Sequence, residues 1–205
     1  MLALLHTSPV HVPVFDALRD RDLPGLRLRH SVHEELLAGA RAAGPAAVAD
    51  DVRRVLARAV ADGATAVLCT CSTLGGVAEA ASAALGVPVL RVDRPMAAAA
   101  VATGPRITVV AALESTLEPT VALLREEGPD VRIRSVLAEG AWTLFEEGDR
   151  TGYLDAVARA VDGVTDADVI VLAQASMADA AGRTHTSVPV LSSPRPGLLA
   201  AARLV

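Results

Sequence analysis

The most reactive side chains in this 205-residue chain are its two cysteines, Cys69 and Cys71, in the stretch Val67-Leu68-Cys69-Thr70-Cys71-Ser72-Thr73-Leu74-Gly75-Gly76. An apolar run that passes into hydroxyl residues reads as a strand turning into a helix. Strand alternation points both thiols the same way, but Cys71 falls at the turn itself. Backbone N–H groups at the helix start, with the Ser72 and Thr73 hydroxyls, form an anion site there. The same partial positive field is expected to lower the Cys71 thiol below about 8.5 and suit it to act as base or nucleophile. The competing reading is a small buried cysteine beside an ordinary N-cap. Two cysteines so close in one strand make a poor disulfide pair, and without histidine clusters they are too few ligands for zinc, so no metal is expected.

Absent residues narrow the chemistry. The chain has no Lys, so all 19 cationic side chains are Arg, which excludes a Schiff-base lysine, a pyridoxal-phosphate anchor and a P-loop. Asn is also absent, and Gln occurs once, at Gln174. The net charge of −5 argues against a nucleic-acid partner. No apolar run approaches the ~20 residues of a membrane span, and the opening MLALLHTSP is too short for a signal peptide, so a soluble cytoplasmic protein is expected. With 52% hydrophobic but only 2% aromatic residues, the core must be built from Ala, Val and Leu.

The elements that would position Cys71 occur twice. Pro24-Gly25-Leu26-Arg27-Leu28-Arg29 is echoed by Pro129-Asp130-Val131-Arg132-Ile133-Arg134, 105 residues on, and Glu34 by Glu139 at the same spacing. Val87-Pro88-Val89-Leu90 recurs as Val188-Pro189-Val190-Leu191, and each copy is followed by Arg-Pro. Each half alternates short β-branched runs with amphipathic segments, which predicts parallel strands joined by helical crossovers. The fold class is therefore α/β: two pseudo-symmetric lobes, each a parallel sheet flanked by helices, with the active site in the cleft between them. Residues 1–93 with 194–205 form the first lobe and 94–193 the second, the C-terminal helix returning to the first. The expected elements include a strand over 26–30, a helix over 48–62 and a helix after Gln174. Aligning the third strands places Cys71 opposite Gln174.

At these motifs (LLHTSPVHVPVFDAL, VLCTCSTLGG, LRVDRPMA, LESTLEPT, AEGAWTLFEEGD and VLAQASMADAA with VPVLSSPRPG) the chain resembles the aspartate/glutamate racemase superfamily over nearly its whole length. That superfamily includes hydantoin racemases, maleate isomerases and arylmalonate decarboxylases. The resemblance implies two pseudo-symmetric lobes and cofactor-independent proton chemistry at the carbon next to a carboxylate. Its racemases flank the substrate with two cysteines. Cys71 matches the first; Gln174 stands at the second, where an amide can serve as neither acid nor base.

The resemblance therefore implies an isomerase or decarboxylase acting on a small carboxylate or amino acid, rather than a two-base racemase. Cys71 would be the catalytic thiol; His6, at the end of the first strand near it, either orients or deprotonates it or is a core or rim histidine. Thr7, Ser8, Ser72, Thr73, Ser115, Thr116, Gln174, Ala175 and Ser176 would bind substrate. Cys71 and Gln174 are expected within ~10 Å of each other, so that both flank one carbon. The alternative is a carboxylate-binding protein that kept the cleft and lost turnover. His11, His30 and His33 are expected at the surface or behind the site, Glu34 and Glu139 at helix starts, and His185 receives no role. A homodimer is permitted.

Overall fold

A computed structural model describes all 205 residues, Met1–Val205. The chain forms two compact units, one of Met1–Arg94 with Pro194–Val205 and one of Pro95–Ser193. The first contains strands β1 (Leu2–His6), β2 (Leu28–Val32), β3 (Ala66–Cys69) and β4 (Val89–Arg91), with helices α1 (His11–Asp22), α2 (Glu34–Ala43), α3 (Ala49–Ala61), α4 (Ser72–Ala80) and α5 (Ser82–Leu85) between them. Helix α6 (Arg94–Thr103) leads to β5 (Arg106–Ala111), α7 (Leu117–Glu127), β6 (Arg132–Leu137), α8 (Ala141–Glu146), α9 (Arg150–Asp162), β7 (Val169–Leu172) and β8 (Val190–Ser192). Helix α10 (Pro194–Ala202) closes the chain. Both sheets are wholly parallel, ordered β2-β1-β3-β4 and β6-β5-β7-β8.

The central strands are covered on both faces, which is why they read as continuous apolar runs. On β1, Leu2 and Leu4 pack with Phe15, Leu198 and Ala201, so α10 belongs to this core. Ala3 and Leu5 face the opposite cluster of Leu36, Val52, Leu56 and Leu74. On β5, Ile107 and Val109 pack with Leu123 and Leu124, while Val110 faces Tyr153, Val157 and Met177. The edge strands β2 and β6 carry Arg29, Arg132 and Arg134, charges that discourage edge-to-edge pairing. No helix is long and apolar enough to cross a membrane.

Three elements differ from the sequence reading. β2 begins at Leu28, because Gly25 (φ 99°) closes a turn after α1 in which the Leu26 amide bonds the Leu23 carbonyl. The expected helix from Val48 is preceded by a separate 3₁₀ turn, Pro45–Val48, opened by a proline with no N–H to give. After β7 the segment Ala175–Arg183 winds as a 3₁₀ helix instead of an α-helix, and nothing in the sequence explains the tighter winding.

Pairing register makes the equivalence of the two units exact at the residues that matter. Leu2 sits beside Leu28 and Ala66, and Ile107 beside Ile133 and Val169. Leu5 pairs with Cys69 as Val110 pairs with Leu172. Two residues further on, Cys71 and Gln174 occupy the same station, each the N-cap of the helical segment that follows.

Candidate active site

Cys71 is set by the sheet. The Thr70 amide bonds the Leu5 carbonyl at 3.0 Å as the last rung of the ladder, and the Leu74 amide returns to the Cys71 carbonyl at 3.2 Å as α4 begins. The residue is 8% exposed. Burial pushes its thiol above the usual range, against hydrogen bonds from the Thr7 hydroxyl and the Thr73 and Leu74 amides that favour the thiolate. The expectation of a lowered thiol is corrected here: the helix start contributes its amides, but loss of solvent outweighs them. The Thr73 hydroxyl approaches the thiol without the alignment of a full hydrogen bond and has no other protein partner. Ser72 is buried beside it and Ser8 is half-buried. Cys69 is fully buried, its sulfur 3.6 Å from the Cys71 carbonyl, and burial drives its thiol far up.

Helix α4 is braced from below by an ion pair almost without solvent, Arg91 Nε to Asp93 Oδ1 at 2.7 Å and Nη2 to Oδ2 at 3.0 Å. A Cβ on Gly75 would lie 2.9 Å from both Cβ and Nε of Arg91, so the glycine is what lets the guanidinium pass under the helix. In the second unit the same two stations hold Ala178 and Ser192.

His6 ends β1, as expected, and is a buried core histidine with both ring nitrogens engaged. Its Nδ1 lies 2.8 Å from the Thr70 hydroxyl and its Nε2 2.8 Å from His30 Nδ1. Because the Thr70 hydroxyl donates to the Leu5 carbonyl at 3.1 Å, it accepts from His6 Nδ1–H, and His6 Nε2 then accepts from His30. Both ring nitrogens are occupied, so neither remains for the Cys71 thiol. Burial first, then the neighbouring His11 and His30, holds the His6 pKa at about 3. His6 is thus a neutral strut for Thr70, the residue before Cys71, and not its base. Burial likewise lowers His11 to about 4. His30 Nε2 lies 3.4 Å from an Asp16 carboxylate oxygen without hydrogen-bond alignment.

Gln174, 8% exposed, makes a different use of the same station. Its Oε1 accepts from the amides of Ala112 at 2.7 Å and Leu113 at 3.1 Å. By register these two residues, and not Ser115 and Thr116, are the counterparts of Thr7 and Ser8; the 3₁₀ turn Glu114–Thr116 displaces the hydroxyls downstream. The Thr116 hydroxyl donates to the Leu113 carbonyl, the turn-residue role that competes with ligand binding, whereas the Ser115 hydroxyl is buried without a partner. Ala175 is buried, and the Ser176 hydroxyl is 2.7 Å from the Tyr153 hydroxyl. Burial raises Tyr153 to about 12, so it remains a neutral phenol. Sequence reasoning missed Thr70, Tyr153 and the Ala112 and Leu113 amides. Only Tyr153 carried a signal, as the one tyrosine in the chain.

The first turn thus joins a buried thiol to the Thr7, Ser72 and Thr73 hydroxyls, a set able to give a proton and hold an oxyanion. The second offers an amide side chain and two hydroxyls. In comparisons with known proteins, the pattern of the Asp/Glu/Hydantoin racemase family matches residues 12–202. No curated protein matches the chain in sequence. Among solved structures, a glutamate racemase isoform of Bacillus anthracis shares the fold with a TM-score of 0.72 at 18% identity, over 99% of this chain and 80% of that one. The glutamate racemase of Thermus thermophilus, in complex with β-chloro-D-alanine, gives 0.67 at 21% identity over 98% and 78%. Arylmalonate decarboxylase gives 0.58 at 23% identity over 99% and 91%. With two parallel four-stranded α/β units and a family pattern spanning nearly its whole length, this chain belongs to the Asp/Glu/hydantoin racemase family.

Proposed function

We propose that the chain is a cofactor-independent enzyme of this superfamily that protonates, from one side only, the carbon next to a carboxylate, and that its reaction is decarboxylation of a small malonate-type acid. The observation that carries this reading is the burial of the Cys71 thiol, which pushes its pKa up, at a station paired by register with an amide that cannot titrate. A neutral thiol is in the wrong form to abstract an α-proton and in the right form to deliver one. In the proposed step the bond from the central carbon to one carboxylate breaks and carbon dioxide leaves. The bonding pair stays on the carbon as an enediolate, and the Cys71 S–H proton passes to that carbon. Solvent then reprotonates the thiolate. Amides and hydroxyls at Thr7, Ser8, Ser72 and Thr73 would hold the remaining carboxylate and the enediolate oxygens.

The test is to incubate the protein with a malonate bearing one methyl and one phenyl group, and to follow carbon dioxide release and chiral chromatography of the 2-phenylpropionate formed. A single enantiomer is expected. A parallel screen of small dicarboxylates and amino acids in D2O should show little α-deuterium at neutral pH. Carboxylate binding with no release and no exchange would leave a binding protein in place of an enzyme.

A further inference from the structure

Two backbone N–H groups converging on one oxygen are a common way of holding an anion. In the second unit that oxygen already belongs to the chain: Gln174 Oε1 bridges Ala112 N–H and Leu113 N–H at 2.7 and 3.1 Å. The corresponding amides of the first unit, on Thr7 and Ser8, have no such acceptor. There Cys71, at the station equivalent to Gln174, reaches the Thr7 hydroxyl and leaves the amides open. One half of a duplicated site is thus sealed by its own side chain.

We infer that Gln174 is a specificity-determining internal acceptor: it closes the Ala112–Leu113 amide pair to ligand oxygens, so that of the two equivalent amide pairs only Thr7–Ser8 is left to take a carboxylate. The inference rests on the reading of the site as carboxylate-binding but not on turnover. The seal is durable because an oxygen that the fold holds against its donors competes at an effective concentration that millimolar free carboxylate does not match.

Amide NMR of the 15N-labelled protein tests it, with acetate and malonate as probes. In the wild type, Thr7 and Ser8 should shift saturably with either anion, Ala112 and Leu113 should not move, and the two affinities should agree within about threefold. Gln174→Ala should expose the second pair. Ala112 and Leu113 then lose protection from hydrogen exchange and shift saturably with malonate and with acetate, as newly opened amide donors to an anion do. Gln174→Met, which keeps the volume and removes the oxygen, should behave as Gln174→Ala if the smaller side chain disturbs the fold. Gln174→Glu, which keeps an acceptor, should leave the pair silent to malonate. Movement of Ala112 and Leu113 in the wild type, silence of that pair in both opened variants, or no response at Thr7 and Ser8 would overturn the inference. Absence of decarboxylation with these shifts intact would overturn the proposed reaction alone.

Discussion

After β3 the chain leaves its sheet at Cys71, and after β7 at Gln174. Each residue caps a helical segment one step past an amide bond to the neighbouring strand, Thr70 to Leu5 in one unit and Ala173 to Val110 in the other. The backbones are alike and the side chains do opposite things. Cys71 keeps a proton and leaves amides open beside it, whereas Gln174 has no proton to transfer and fills the amides beside it. A duplicated scaffold thus carries one station that can give a proton and one that cannot.

Removing the thiol should break that comparison most severely. Cys71→Ala is expected to lower decarboxylation by about 10²–10⁴-fold, the usual range for a lost general acid, while Cys69→Ala should alter stability and leave the rate per folded molecule within about twofold. Equal losses in both variants would remove Cys71 from its role. Next in size, Gln174→Cys gives the second station a titratable thiol. Its product should fall from one enantiomer toward a mixture, and isolated product enantiomers should begin to interconvert. Unchanged enantiomeric purity would show that the second station does not border the reacting carbon.

A smaller effect separates the units by pH. His6 and His11 lie in the first unit and are held neutral, with native pKa values of about 3 and about 4 against about 6.5 unfolded. Below pH 6.5 the unfolded chain binds protons that the native chain refuses. Stability is therefore full above 6.5 and falls toward pH 3, by up to about 1.4 kcal/mol per pH unit for each histidine. His11→Leu should flatten that fall by one proton between pH 6.5 and 4 in urea titrations. An unchanged slope would mean His11 is not held neutral.

Smallest is the brace: Gly75→Ala should cost about 1–3 kcal/mol as an overpacked contact against Arg91. The double change with Arg91→Ser reproduces the Ala178 and Ser192 pair of the second unit, but it also strands the buried Asp93 that Arg91 neutralises. The double variant should therefore remain destabilised. Full recovery in a thermal melt would show that the ion pair does not brace α4.

The strand-to-helix turn at Cys71, its equivalence to Gln174 and the alternation of parallel strands with helices were legible, because each depends on local pattern and on spacing that duplication preserves. What the site does with those residues was not. The direction of the Cys71 shift depends on how completely Leu5, Leu74 and their neighbours exclude water, and no local motif states that. His6 looked available in sequence because its partners, Thr70 and His30, lie 64 and 24 positions away. The hydroxyls of Ser115 and Thr116 imitate those of Thr7 and Ser8, yet the 105-residue spacing already sets Ala112 and Leu113 at that station, and the hydroxyls fall in the three-residue turn beyond it.

The central claim is that Cys71 holds its proton at neutral pH, and the rate of its alkylation measures this directly. Wild-type and Cys71→Ala protein should be treated with iodoacetamide from pH 6.5 to 10 and the adduct counted by intact mass. The Cys71 rate should be slow at pH 6.5 and climb about tenfold per pH unit through pH 9 without levelling, because only the thiolate reacts and burial keeps it scarce. Fast labelling at pH 6.5 with a plateau below pH 8 would show a thiolate at rest, and the proton-donor account would fail.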